Sequence, residues 1–251
     1  MSGDLKEDVR RFWEAAPCGT STAAAEPGTP EFFSQVERER YRLEPFIPDF
    51  AEFERWRGKR VLEVGVGLGT DFVQFARAGA VAVGIDLTEA AVESVRLRLA
   101  SEGLEADVRV ADAEALPFPD ASFDVVYSWG VLHHTPDTPR ALAEARRVLR
   151  SDGEARIMLY SRRSWVALGV WLRYGLLRGA PHRTATELLA RWMESPGTKA
   201  YTQRELDQLF SGFSDVRYER FVTPYDRRVG GRLVTRLPRR FGWFVGVIAR
   251  P

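Results

Sequence analysis

Three kinds of residue in this chain could act together as chemistry: a run of closely spaced glycines, several acids that each end an apolar stretch, and two adjacent histidines. Glycines 65, 67 and 69 follow directly on the apolar run Val61, Leu62 and Val64, with Glu63 inside it. They let the backbone turn sharply and leave amide N–H groups bare where the next helix begins, a setting that attracts an anionic or electron-rich ligand edge. Tight strand–helix packing explains glycine at such a turn equally well, so the motif needs support from elsewhere in the chain. Asp86 comes 17 residues after Gly69, a distance suited to an acid that bonds sugar hydroxyls. Asp112 ends the following apolar stretch and can accept from an exocyclic amine, while the N–H of Ala113 donates to a ring and Leu87 and Phe118 are candidates to sandwich it. Each acid alone could be a helix cap or a solvated loop residue. Glu63, Asp86, Asp112 and the pair Ser128 with Trp129 all stand at strand ends, and in an open parallel sheet those ends border one ligand crevice. His133 and His134 follow the fourth strand, which makes them candidate bases for removing a proton from an acceptor. The alternative is that His134 caps the loop before Pro136 and His133 packs inside. Tyr127, Tyr160 and Tyr201 are weaker candidates, and Phe12, Trp13 and Trp165 are candidate walls of an acceptor pocket.

The elements that must position these residues alternate along the chain. A strand containing Val61, Leu62 and Val64 leads into a helix from about Thr70 bearing Phe72, Phe75 and Ala76. Strand Val81–Asp86 precedes a helix capped by Thr88, with Ala91, Val92, Val95 and Leu99 inward and a stop at Gly103. Strands Ala106–Val110 and Phe123–Trp129 follow, then a helix from Pro139 through Leu149, a turn at Asp152-Gly153 and strand Ala155–Tyr160. This alternation gives an α/β fold: a parallel sheet with helices on both faces. Before it lies an aromatic-rich arm. It holds a short helical pattern (Val9, Phe12, Trp13), a Pro-, Gly- and Ala-rich stretch to residue 29, a helix from Pro30 through Tyr41, and a shorter one with Phe50, Phe53 and Trp56. After Tyr160 come a bulky helical stretch (Trp165 to Leu177), a second helix (Thr186 to Glu194), and a helix opened by a Thr202/Glu205 capping box. Two late strands, Val216–Val222 and Trp243–Ala249, are joined by a connection over Pro224–Phe241. The division that results is an arm and lid over 1–57, a binding core over 58–160, a helical cap insertion over 161–200, and a final helix with two strands over 201–251.

Composition sets bounds. The 251 residues can bury a full core; 45% are hydrophobic and 28% charged, the profile of a soluble globular protein. No apolar run is long enough to span a bilayer and the N-terminus lacks a signal-peptide pattern, so a cytoplasmic location is expected. One cysteine, Cys18, and three histidines leave no disulfide and no dedicated metal site, so none is expected. The net charge of +1 conceals an asymmetry: residues 151–251 carry 18 Lys/Arg against 9 Asp/Glu, which leaves 18 against 26 in residues 1–150. A basic half can signal nucleic acid or anionic membrane. The arginines at 162, 163, 173, 178, 183 and 191 are interspersed with apolar positions, which favours a solvated face. No nucleic-acid partner is expected. Packing as a cap is the reading preferred for 165–178, with peripheral membrane contact as the alternative.

A dinucleotide cradle would space its glycines Gly-x-Gly-x-x-Gly; here they run Gly-x-Gly-x-Gly after an acid, which suits a zwitterionic or cationic ligand better than a pyrophosphate. The order of Val61-Leu-Glu-Val-Gly-Val-Gly-Leu-Gly-Thr, Gly84-Ile-Asp86, Ala111-Asp-Ala, Phe123-Asp-Val-Val-Tyr-Ser-Trp-Gly-Val-Leu-His-His and Arg147-Val-Leu-Arg-Ser-Asp-Gly-Glu resembles the class I S-adenosylmethionine-dependent methyltransferases. Within that class it is similar to the small-molecule group that includes the quinone C-methyltransferases. The resemblance covers about residues 58–160 and departs at Ser151-Asp152-Gly153, where the family usually has Pro-Gly-Gly. It implies a Rossmann-like seven-stranded sheet whose last strand runs antiparallel, with S-adenosyl-L-methionine as cofactor and S-adenosyl-L-homocysteine as product. It further implies that Gly65, Gly67 and Gly69 with Glu63 hold the methionine part, Asp86 the ribose, Asp112 and Ala113 the adenine, and the backbone near Ser128 and Trp129 the amino group. The expected activity is in-line methyl transfer to an O, N or C nucleophile of a small molecule. The alternatives are methylation of RNA or protein, a cofactor-binding regulator without catalysis, and a nicotinamide oxidoreductase.

Overall fold

Strand β1 (Arg60–Val64) is apolar on both sides, as a strand must be when helices cover both faces of its sheet. Its alternation sends Val61 into one buried cluster and Leu62 and Val64 into the other, so Glu63, with the parity of Val61, stands at the site end of the first face. The computed structural model describes residues 2–15, 17–193, 195–231 and 241–251. Among them, β1 is central to a seven-stranded sheet in the order β3-β2-β1-β4-β5-β7-β6. Strands β2 (Val81–Asp86), β3 (Asp107–Val110), β4 (Phe123–Trp129) and β5 (Leu149–Tyr160) run parallel to β1. Strand β7 (Phe244–Arg250) is antiparallel to both of its neighbours, β5 and β6 (Ser214–Phe221). The chain steps from β1 to β2 on one side and later to β4 on the other, so the order reverses between β1 and β4. A crevice opens there, outside the carboxyl ends of the strands.

One face is covered by α3 (Ile47–Ala51), α4 (Phe72–Arg77) and α5 (Glu89–Glu102), through Phe50, Phe75, Val92 and Val95 among others. The other is covered by α6 (Thr138–Val148) and α9 (Gln203–Leu209), through Leu142, Ala145 and Leu206. Helices α1 (Ser2–Ala15) and α2 (Pro30–Leu43) lie over the strand ends, where Phe32, Phe33 and Val36 pack with Leu68 of the glycine-rich loop.

Several elements differ from their sequence reading. The turn expected at Asp152-Gly153 is an irregularity inside β5: Phe123 pairs with Leu149, but Val125 pairs with Glu154, so the intervening residues bulge. The bulky stretch from Trp165 is not one helix. It passes from α7 (Trp165–Val170) through a π-turn (Trp171–Gly175) into a 3₁₀ turn (Leu176–Arg178), and ends at Gly179 in the left-handed region. Helix α8 (Ala185–Trp192) starts one residue earlier than expected because Thr184 and Glu187 form a capping box; Glu194, its expected end, lies outside the described residues. The 224–241 connection contains α10 (Pro224–Gly230), opened by a box between Thr223 and Asp226 that was legible as Thr-Pro-x-Asp; residues 232–240 of that connection lie outside the described residues.

Candidate active site at the carboxyl ends of the strands

The glycine-rich loop is held by backbone groups of the neighbouring strand. The N–H groups of Gly65 and Val66 donate to the Ile85 carbonyl at 2.8 and 3.2 Å, and that of Gly67 donates to Asp86 Oδ2 at 3.1 Å. Gly65 has φ +83°, and a Cβ there would run into the Val131 side chain, so this position admits no side chain. Asp86 Oδ1 accepts from the Thr88 N–H at 3.1 Å and its hydroxyl at 2.8 Å. One carboxylate thereby braces both the loop and the residue that caps α5. Burial raises the Asp86 carboxyl above its ordinary range, against the pull of those donors.

A cavity of about 370 Å³ opens over this loop. Glu63, Gly65, Gly67, Asp86, Leu87, Asp112, Ala113, Trp129 and His134 all line it. The structure does not bring every expected residue there. Gly69 lies off the cavity; its added Cβ would stand 2.9 Å from Val95, so this glycine serves the close approach of α5. Ser128 is buried and its hydroxyl donates to the Val64 carbonyl at 2.9 Å, stitching β4 to β1. His133 is fully buried beneath the site, its ring 3.8 Å from that of Tyr160 and 4.3 Å from that of His134, and burial lowers its pKa strongly. Phe118 packs edge-on against Phe123, away from the cavity. Of the tyrosines, Tyr160 lines the cavity; the hydroxyls of Tyr127 and Tyr201 donate to Asp71 (2.9 Å) and Thr138 (2.9 Å). Trp13 reaches the wall, whereas Phe12 is exposed and Trp165 packs near Phe241.

The other end of the cavity joins residues the sequence flagged, Trp129, His134 and Tyr160, to others it did not. Glu44, the C-cap of α2, is buried on the wall and its Oε2 accepts from the Trp129 indole N–H at 2.8 Å. Burial raises its pKa, and Arg40 only partly offsets that. Behind it, Asp71 pairs with Arg40 at 3.0 Å and accepts from the hydroxyls of Tyr41 and Tyr127 at 3.0 and 2.9 Å. Met158, Tyr160, Tyr225 and Phe244 complete the wall. His134 Nδ1 lies 2.7 Å from the Ser195 hydroxyl and 3.1 Å from that of Thr198. Burial, with the charge of Lys199 adding to it, brings its pKa down to about 3, so the imidazole is neutral at physiological pH. Helix α1 closes the top. Lys6 bridges Asp112 Oδ2 at 2.6 Å and Glu114 Oε2 at 2.5 Å, and Glu14 accepts from the backbone of Glu89 and Ala90 at 3.2 and 3.0 Å, where α5 begins.

Glu63 gives the sharpest test of what the loop end can hold. It is buried, it lines the cavity, and its Oε2 has no hydrogen-bond partner, while burial and the charge of Asp71 push its pKa well up. The loop amides are not bare as expected, since those of Gly65, Val66 and Gly67 are spent on Ile85 and Asp86, but an unsatisfied carboxylate oxygen beside the loop fits a ligand bearing an ammonium or sulfonium. The residues present therefore suit the methionine part of S-adenosylmethionine.

Sheet order, antiparallel seventh strand and loop define the class I, Rossmann-like methyltransferase architecture. Residues 62–157 match the methyltransferase domain family. The chain is 41% identical over 99 residues to 27-O-demethylrifamycin SV methyltransferase of Amycolatopsis mediterranei, covering 38% of this chain and 36% of that protein. It is 38% identical over 104 residues to phosphatidylethanolamine N-methyltransferase of Cereibacter sphaeroides, covering 41% and 51%. It thus spans about half, or less, of the length of these curated relatives. Among solved structures, an S-adenosylmethionine-dependent methyltransferase of Mesorhizobium loti superposes with a TM-score of 0.61 at 20% identity over 82% of this chain and 97% of that one. The [4+2]-cyclase SpnF superposes at 0.57 and 17% identity over 99% and 94%. Residues 62–157 thus match a methyltransferase domain, and the fold is the one these solved structures share.

Proposed function

We propose that the protein transfers a methyl group from S-adenosylmethionine to a small molecule held at the aromatic end of the cavity. The observation that carries this reading is that one cavity joins the glycine-rich loop to a wall of Trp13, Trp129, Tyr160 and Phe244 around the Glu44 carboxylate. The cofactor supplies a methyl group on a sulfonium, activated toward a nucleophile. In this reading Glu63 holds the methionine part against the Gly65–Gly67 backbone, Asp86 the ribose hydroxyls, and Asp112 with Ala113 and Leu87 the adenine. Aligning an acceptor against that methyl can supply up to ~7–11 kcal/mol of the barrier, and α1 with the aromatic wall would exclude water.

A hydroxyl or acidic carbon also needs somewhere to put its proton. Glu44 is the better placed base, because burial has raised its carboxyl toward the working pH. His134, neutral and fixed through Ser195 and Thr198, would orient the acceptor as a hydrogen-bonding group, since an imidazole titrating near 3 is a weak base. The largely apolar walls support a small molecule over RNA or a protein side chain. Calorimetry with S-adenosylmethionine and S-adenosylhomocysteine tests the first half, and neither binding would end the reading. Mass spectrometry of a metabolite extract incubated with enzyme and cofactor tests the second, the expected result being one product heavier by a methyl group.

A further inference from the structure

Apolar side chains left in water are concentrated in one place on this molecule. Among the described residues, six of the ten large apolar side chains that are exposed belong to two adjoining segments: Leu168, Leu172, Leu176 and Leu177 on α7 and its following turns, and Tyr225 and Val229 on α10. The first three leucines recur every four residues, and Tyr225 and Val229, four apart on α10, share one side of that helix. Gly169 brings the two segments together: a Cβ there would stand 2.7 Å from Val229. Leu177 is 79% exposed, more than core or cap packing would leave.

The charge along these segments is mostly basic. Between residues 161 and 194 there are six arginines and two acids, Glu187 and Glu194, and one of the arginines, Arg162, is paired with Glu205. On α10, Arg227 and Arg228 are exposed, whereas Asp226 is buried and accepts from Thr223 and the Trp243 N–H. A second copy of the chain docked on this face by a two-fold axis would set arginine against arginine.

We propose that the face formed by α7, its following turns and α10 seats on an anionic phospholipid bilayer, with the leucines entering the interface and the arginines meeting the headgroups. Tyr225 belongs both to this face and to the cavity wall, so the apolar surface runs into the site. Resting on the methyl-transfer reading, this makes the acceptor an apolar or lipid-tailed molecule that enters from the membrane.

Vesicle co-sedimentation of the full chain tests it, with phosphatidylcholine alone and mixed with phosphatidylglycerol. Binding is expected only to the mixed vesicles, falling as salt rises. The double substitution Leu172→Glu/Leu177→Glu should remove it, and Arg173→Glu/Arg178→Glu should weaken it by at least about tenfold, given roughly fivefold for each basic charge at an anionic surface. Leu97→Glu, on the exposed side of α5, should bind as the parent does. S-adenosylhomocysteine titration should be unchanged in all three, which separates failure here from failure of the methyl-transfer reading; thermal melts identify a misfolded leucine variant, and the arginine variant then decides. Failure of the parent to bind mixed vesicles, or binding that survives both double substitutions, overturns the proposal. So does a concentration-dependent dimer that the leucine substitutions dissolve, which would make the face a self-association surface.

Discussion

The two ends of the cavity are built in different ways. At the loop end the bonds are local: Gly67 to Asp86 spans 19 residues and Thr88 to Asp86 spans two. At the aromatic end they reach across the chain: Trp129 to Glu44 spans 85 residues and His134 to Ser195 spans 61. The first end is backbone geometry that one βαβ unit fixes by itself. The second is a set of side chains lent by the arm, β4, β5, β7 and α10. Such a division lets one fold carry different acceptors on an unchanged cofactor end.

If the ends are separable, substitutions should divide cleanly between turnover and cofactor affinity. The largest effect is expected for Glu44→Gln, which keeps the side-chain volume but removes the base: kcat should fall by about 10²–10⁴, with S-adenosylhomocysteine affinity unchanged by calorimetry. Retained turnover would leave alignment as the whole contribution of that end. Gly65→Ala should do the reverse. A left-handed backbone and the collision with Val131 together cost about 2–5 kcal/mol, read as weaker cofactor binding and a lower melting temperature. Parent-like affinity would refute the cradle.

Asp86→Ala is expected to weaken cofactor binding by about 1–2 kcal/mol. Part of that would come through the loop, because Gly67 and Thr88 lose their acceptor. If only acceptor KM changes, Asp86 belongs to the other end.

Acid titration sharpens the comparison. His134 is protonated in the unfolded chain below about 6.5 but in the folded protein only near 3, so the unfolded state binds more protons between those values and stability is lost as pH falls through that window. Replacing His134 with Asn should therefore gain on the parent in melting temperature from pH 6.5 downward. Equal slopes would show that the ring is not buried as described. Glu44 and Glu63 act in the opposite sense: their raised carboxyls make the folded state the better proton binder above about 4.5, so they cost stability as pH rises. The smallest effect belongs to Lys6→Ala. Its ion pair is partly exposed and worth no more than about 1 kcal/mol, and its removal should speed cofactor exchange in stopped flow rather than alter turnover chemistry. An unchanged exchange rate would mean that α1 does not gate the loop end.

What the sequence determined by itself is the part governed by short-range rules. Apolar runs, glycines at forced positions and acids at strand ends depend on a residue and its near neighbours, so β1 through β4 and the positions of Glu63, Gly65, Gly67, Asp86 and Asp112 could be read in order. Local signals also misled where a residue's role depends on what packs against it. Gly69 proved to make room for Val95, and His133 packs between Tyr160 and His134, because a motif records spacing and not which way a side chain turns. Glu44, Lys6, Ser195 and Tyr225 carry no local signature. Their place at the site exists only once strands and helices far apart in sequence have packed, since burial and long-range pairing, not propensity, set the surroundings that give a carboxylate or an imidazole its chemistry.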